Sequence, residues 1–140
     1  MKSGLFKDPT QAGLYHLPAK HLLDLPRLVA KAHLILLAAN LVDCKDKHQA
    51  LSELGKAFKF PAWYGVNFDA LHDCLTDPDW QPKTGVVLQI SGLDLLHERD
   101  PDSFSTLIEV LQSAASTRSA EKIPLWILLT SPTLGIADLP

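Results

Sequence analysis

The sequence predicts a single α/β domain in which a small parallel sheet of three to four strands packs against helices. Short apolar runs of strand length alternate along the chain with segments of helical periodicity. Parallel neighbours need crossover connections, and the intervening helices supply them. The 140 residues, 46% hydrophobic and 21% charged, are enough to bury a core, and no repeat or linker divides them.

The domain organisation is expected to place the core of the fold in the last two thirds of the chain. Residues 1–12 are predicted to be a flexible lead-in, and residues 13–140 are predicted to form the domain. Within it, residues 13–31 are an N-terminal extension that can add a strand and a helix at one edge, whereas residues 32–130 form the central unit.

The strands are predicted from apolar runs rich in leucine, isoleucine and valine. A continuous apolar run favours a strand buried on both faces, and this is expected of residues 33–41 in particular. Strands are predicted at residues 13–17, 33–41, 86–90 and 125–129.

The helices are predicted from apolar residues spaced three and four apart and from capping residues. Asn67 and Ser103 are expected N-caps, while Pro26 must either interrupt the first helical segment or start a turn there. Helices are predicted at residues 19–31, 46–58, 67–75, 93–97 (a short turn) and 103–116.

Composition excludes several classes of protein. A net charge of −3 argues against a nucleic-acid partner. The N-terminus has no signal-peptide core, and the most apolar run is far shorter than the roughly 20 residues that span a bilayer, so no membrane association is expected. Two isolated cysteines, Cys44 and Cys74, indicate free thiols in a reducing compartment. We therefore expect a cytoplasmic protein without a cofactor.

The most informative segment is the predicted helix at residues 67–75. Leu71 and Leu75 fall on its core side, whereas Asp69 and Asp73 lie four residues apart on the solvent side. Two like charges at this spacing destabilise a helix by a few tenths of a kcal/mol, which fits a surface kept for a cationic partner. The alternative is a solvated acidic face without a role.

Neighbouring residues favour the binding interpretation. Trp63 and Tyr64 precede the helix, and aromatic side chains are enriched at interface hot spots, although both rings can instead pack under the loop. Residues 66–102 carry eight acidic and two basic side chains, a field that would steer a basic partner.

The same residues carry a family resemblance. Residues 63–76, WYGVNFDALHDCLT, are similar to the barstar family signature aromatic-Tyr-Gly-x-Asn-x-Asp-Ala-Leu-x-Asp-Cys-Leu-Thr, and a weaker resemblance covers residues 32–130. It implies a barstar-like fold and an inhibitor whose acidic helix and preceding aromatic loop block the active site of a small basic ribonuclease. Asp69 and Asp73 would be the central contacts, with Asp73 in the place of a substrate phosphate.

The resemblance also implies the remaining partner contacts. Tyr64 would pack on the rim of the enzyme, and Gly65 and Asn67 would shape the loop. The chain departs from the best-known member at Val66, which replaces an acid, and at His72, which replaces a tryptophan. The candidate partner-binding residues are Asp69, Asp73, Tyr64, Trp63, Gly65, Asn67, His72 and Thr76.

Three other interpretations stay open. In the first, the partner of a barstar-like module is another toxin or a regulatory protein, which would need the same acidic surface. In the second, Asp69, His72 and Asp73, with His97, form an acid–base or metal cluster, although these residues project from an exposed helix and no catalytic motif is present. In the third, the domain is purely structural. We expect no enzymatic activity and a chain that is monomeric when free.

Overall fold

The computed structural model describes all 140 residues. Short 3-10 turns lie at Leu5–Lys7, Pro9–Gln11 and Ala19–His21. The main elements, in chain order, are β1 (Leu14–His16), α1 (Leu25–Lys31), β2 (Ile35–Asn40), α2 (Lys47–Ala57), α3 (Phe68–Thr76), β3 (Val86–Ser91), α4 (Asp94–Arg99), α5 (Pro101–Ala120) and β4 (Leu125–Leu129).

The four strands form one sheet in the spatial order β1-β4-β3-β2, and every neighbouring pair is parallel. Val86 at the start of β3 pairs with Ile35 on one side and Leu125 on the other, so three strands begin level with one another. Helices provide the crossovers that parallel strands require. The predicted fold class is confirmed.

The two faces of the sheet are covered unequally. A cluster of 24 buried residues lies on the face that carries α2, α3, α4 and α5. A cluster of 10 residues around Trp126 lies on the opposite face, beneath α1 and the two chain termini. None of the helices combines the length and the apolar character needed to cross a bilayer.

The expectation that the run at residues 33–41 is buried on both faces is wrong. β2 is the last strand of the sheet, so it has a neighbour on one side only. The side chains of Ile35, Ala38 and Asn40 are exposed, while Leu37 and Ala39 are buried. An apolar run therefore forms an edge strand here. The sequence alone does not show which strand lies at the edge of the sheet.

The N-terminal residues differ from the flexible lead-in that we expected. Leu5 and Phe6 are each only 4% exposed, and the Phe6 ring meets Trp126 edge to face at 5.5 Å between centroids. Burial of these two side chains fixes the start of the chain against the sheet. The extension at residues 13–31 contributes β1 and α1, and β1 pairs with β4 at the edge.

The helix boundaries are set by capping groups that were predicted in part. Asn67 caps α3 as expected, because its Oδ1 accepts the Ala70 N–H at 2.7 Å. Ser103 is not the cap of α5. Asp100 takes that position and accepts the Ser103 N–H at 3.2 Å, with Pro101 as the first helical residue. Pro26 lies in the first turn of α1, so the second of its two predicted roles is the one observed.

Candidate protein-binding surface

The candidate site is built on α3, whose inner side is packed against the core. Leu71, Cys74 and Leu75 are fully buried on its inner side. Asp69 and Asp73 are both exposed on the outer side, as their spacing predicts. Since the inner residues lock the helix against the core, the two carboxylates stand on a rigid element.

The loop before α3 and the outer side of the helix enclose a shallow depression of about 440 Å³. We call it the acidic depression. Trp63 is 55% exposed at its rim. The depression is lined by Trp63, Gly65, Asn67, Phe68, Asp69, Ala70 and Asp73. Five of the eight predicted contact residues therefore lie around one concave surface.

No basic side chain of the chain neutralises the acidic depression. The ion pairs of the structure are His16–Asp138 and Arg27–Asp24, and neither involves Asp69 or Asp73. Asp69 lies in the first turn of α3, where the helix dipole favours a negative charge. Asp73 lies a turn further along, where this stabilisation is small. Its carboxylate is left to solvent or to a partner.

The loop reaches the helix through a strained residue. Val66 has φ of 52°, in the left-handed region that a β-branched residue rarely adopts. Such a conformation costs about 1–3 kcal/mol and persists only where the surroundings impose it. The Asn67 side chain donates a hydrogen bond from Nδ2 to the Gly65 carbonyl at 3.3 Å. This turn directs Trp63 toward the outer side of α3.

Tyr64 lies beneath the loop, away from the acidic depression. Its hydroxyl donates to the Leu51 carbonyl at 2.8 Å, and its ring packs edge to face on Phe60 at 4.9 Å. A Cβ at Gly55 would come within 2.6 Å of the Tyr64 ring, so the glycine makes room for it. Burial, and secondarily the Cys74 thiol, raise the pKa of Tyr64 above its ordinary value. The structure thus gives Tyr64 a supporting position.

Replacing Tyr64 with phenylalanine should therefore affect stability more than binding. Loss of the hydroxyl leaves the Leu51 carbonyl without its donor, and we expect unfolding free energy to fall by about 1 kcal/mol. Denaturant unfolding and partner titration would measure the two effects. Tyr15→Phe, which removes a hydroxyl bond to Gln11, is the matched control. A loss of affinity of roughly tenfold or more would place the Tyr64 hydroxyl at the partner.

His72 and Thr76 face groups of the protein itself. His72 Nε2 lies 3.2 Å from Ser113 Oγ on α5, which links the two helices. The Thr76 hydroxyl donates to the His72 carbonyl at 2.8 Å. Neither lines the acidic depression. They border α3 on the side that faces α5.

The structure does not support a metal or nucleophile site. Asp69, His72 and Asp73 do not converge, since the chain places no group of three or more His, Cys, Asp or Glu side chains where they could hold a metal ion. Burial, with the charges of Asp73 and Asp77, raises the pKa of Cys74 to about 11, so its thiol is neutral at physiological pH. A neutral, buried thiol is a poor nucleophile.

Arg118 is a supporting residue that the sequence analysis missed. Its side chain is completely buried under the end of α3. Its guanidinium donates to the carbonyls of Ile123 at 2.9 Å, Leu75 at 3.3 Å and Asp77 at 3.4 Å. The signal was present, because Arg118 continues the buried stripe of Leu111, Ala114 and Ala115 along α5.

Comparison with known protein families gives a match over more than half of the chain. Residues 34–130 of the 140 match a family described as Barstar (barnase inhibitor). The matched region runs from just before β2 to just after β4, and it includes α3 and the acidic depression; residues 1–33 lie outside it. No curated protein matches the chain.

Proposed function

The chain belongs to the barstar family, and on that premise we propose that it is an inhibitor that blocks the active site of a small basic ribonuclease. The blocking surface in this proposal is the outer side of α3 together with the loop at residues 63–67. The observation that carries it is the pair of exposed, unpaired carboxylates of Asp69 and Asp73 on one rigid helix, beside exposed Trp63.

The chemistry of inhibition follows from charge and rigidity. Enzymes that cleave RNA present cationic groups to a phosphate, and a carboxylate can accept charge-assisted hydrogen bonds from the same groups. Asp73, at the centre of the outer side of α3, would take the place of that phosphate. Because the helix is already fixed by Leu71 and Leu75, little conformational entropy is lost on binding.

Trp63 supplies the apolar part of the proposed contact. A half-exposed indole next to carboxylates is typical of an interface hot spot, since it buries a large rigid area and shields the neighbouring charges from water. The indole face can also stack on an arginine side chain of the partner. The two cysteines are free thiols, which supports action in a reducing compartment such as the cytoplasm.

The proposal predicts salt-sensitive binding to a barnase-like ribonuclease. We expect the full chain to bind such an enzyme and to inhibit RNA cleavage. Affinity should fall by at least roughly tenfold between about 0.05 M and about 0.5 M salt, because screening weakens the attraction between unlike charges. Calorimetric or surface-based titration measures affinity, and a fluorogenic RNA substrate measures inhibition. Failure to bind at the lower salt concentration would refute ribonuclease inhibition.

A different basic toxin or regulatory protein is the second candidate partner. The observation that favours it is the change of chemistry at the border of the acidic depression. Val66 is apolar and packs on the core, and the His72 ring faces Ser113, whereas the best-known family member has an acid and a tryptophan at these positions. The acidic depression would serve either partner, so a panel of basic toxins in the same titration separates the two candidates.

A further inference from the structure

The two edges of the sheet differ in whether another part of the chain covers them. β1 is three residues long and is covered by the C-terminal segment. The His16 N–H donates to the Ala137 carbonyl at 2.8 Å, the Leu139 N–H donates to the His16 carbonyl at 2.9 Å, and His16 Nδ1 lies 2.7 Å from Asp138 Oδ1. This edge is therefore closed by the chain itself.

The β2 edge is open. Its six residues, Ile35–Asn40, include no charged residue and no proline, the features that usually protect an edge strand. The Leu41 N–H donates to the Ser91 carbonyl at 2.8 Å, so odd-numbered residues direct their backbone groups at β3. Leu36, Ala38 and Asn40 consequently direct their N–H and C=O groups away from the sheet.

Exposed apolar side chains flank the open edge. Ile35 at the start of β2 is 42% exposed, and Val42, two residues after its end, is 54% exposed. Ala38, at the middle of the strand, is exposed and small, so another backbone can approach it closely. An open, uncharged edge with exposed apolar side chains at both ends is suited to pairing with another strand.

We propose that β2 pairs antiparallel with β2 of a second copy of this chain, joining the two sheets into one. A two-fold symmetric contact between identical edge strands has to be antiparallel. With Ala38 opposite Ala38 of the second copy, Leu36 lies opposite Asn40, and the residues that meet are those with free backbone groups. The resulting sheet would leave no open edge at β2.

Side chains at the two ends of the strand support this register. His33 precedes β2 and Asp43 follows it, and both are exposed. His33 lies in the turn that leads into β2, and Asp43 lies in the turn that follows it. Antiparallel pairing about Ala38 brings the first turn of one copy near the second turn of the other, so unlike groups come close together. Parallel pairing would instead set like ends side by side.

The dimer departs from the monomer expected from the sequence, and it is independent of the proposed ribonuclease inhibition. It rests on β2, whereas inhibition rests on α3 and its loop. A chain that binds ribonuclease but stays monomeric at about 100 µM would refute the dimer alone. A dimer that binds no ribonuclease would refute inhibition alone.

Sedimentation velocity of the full chain without any partner tests the proposal. We expect a dimer at about 100 µM that dissociates at about 1 µM, as for a small transient interface. Ala38→Lys places two like charges opposite each other at the centre of the contact and should weaken association by at least roughly tenfold. Ala120→Lys, at an exposed position at the end of α5, is the matched control and should associate like the wild type.

A charge reversal tests the orientation of the strands. His33→Asp should weaken the dimer, since it brings two carboxylates close together where the ends of the paired strands meet. Adding Asp43→Lys to that variant should restore association. Melting curves of each variant check that the fold is kept. A wild-type chain that stays monomeric at about 100 µM overturns the proposal. If Ala38→Lys dimerises like the wild type, the pairing of β2 is overturned. The same holds if the double variant does not regain the association that His33→Asp loses.

Discussion

Asp73→Ala is expected to weaken binding to a barnase-like ribonuclease by roughly 30-fold to several thousand-fold. This range corresponds to the loss of about 2–5 kcal/mol when one member of a buried, hydrogen-bonded charge pair is truncated. Much of that loss arises in the partner, whose cationic groups would stay buried without a counter-charge. The dissociation constant of the variant should rise mainly through a faster dissociation rate, because close contacts hold the complex together once it has formed.

Asp73 is a cleaner test than Asp69 because removal of its carboxylate costs the free protein little. Asp69 gains stability from the N-terminus of α3, so Asp69→Ala would alter both the helix and the contact. Asp73 is exposed, makes no ion pair and repels Asp69. We expect Asp73→Ala to unfold at the same free energy as the wild type or a few tenths of a kcal/mol higher.

Asp79→Ala is the matched control for Asp73→Ala. Asp79 is an exposed acid in the loop after α3 and does not line the acidic depression. The substitution removes the same charge, so it should lower the association rate slightly at low salt and change affinity by less than about threefold. Equal losses for the two variants would show that binding depends on net charge only. Equal binding by Asp73→Ala and the wild type would contradict the assignment of Asp73 to the contact.

The sequence correctly predicted strands, a helix cap and a helix face that depend only on neighbouring residues in the chain. The apolar runs at β3 and β4, the spacing of Leu71 and Leu75 and the cap at Asn67 depend on residues close together in the chain. The exposure of Asp69 and Asp73 follows from the same helical period. The fold class followed from the alternation of these strands and helices, whereas the family followed from the resemblance of residues 63–76 to the barstar signature.

Features that depend on distant parts of the chain could not be predicted in the same way. Tyr64 is directed inward because Leu51 offers a carbonyl and Gly55 leaves room, two conditions set by another helix. Phe6 is buried because Trp126, at the other end of the chain, lies beneath it. Whether β2 is an edge depends on the order of all four strands. Periodicity reports how a segment is buried on average, and it does not identify the neighbour.

Arg118 is the supporting residue with the largest expected effect on stability. The guanidinium joins the end of α5 to the end of α3, where unpaired helix carbonyls carry partial negative charge. Burial lowers the pKa of Arg118, while Glu121 and Asp77 oppose that effect. No carboxylate forms an ion pair with Arg118 in the structure, so carbonyl oxygens solvate its Nε and Nη1 groups, while the buried Nη2 has no hydrogen-bond partner.

Arg118→Ala should lower the unfolding free energy by about 3 kcal/mol or more, since it leaves a cavity and deprives buried carbonyls of their donors. Arg118→Met fills most of the volume without donating hydrogen bonds, and we expect a loss of about 1–2 kcal/mol. Arg99→Ala, at an exposed arginine on α4, should stay within about 0.5 kcal/mol of the wild type. Urea unfolding measures all three. If Arg118→Met were as stable as the wild type, packing alone would explain the burial of Arg118, and its hydrogen bonds to α3 would contribute nothing to the rigidity on which the acidic depression depends.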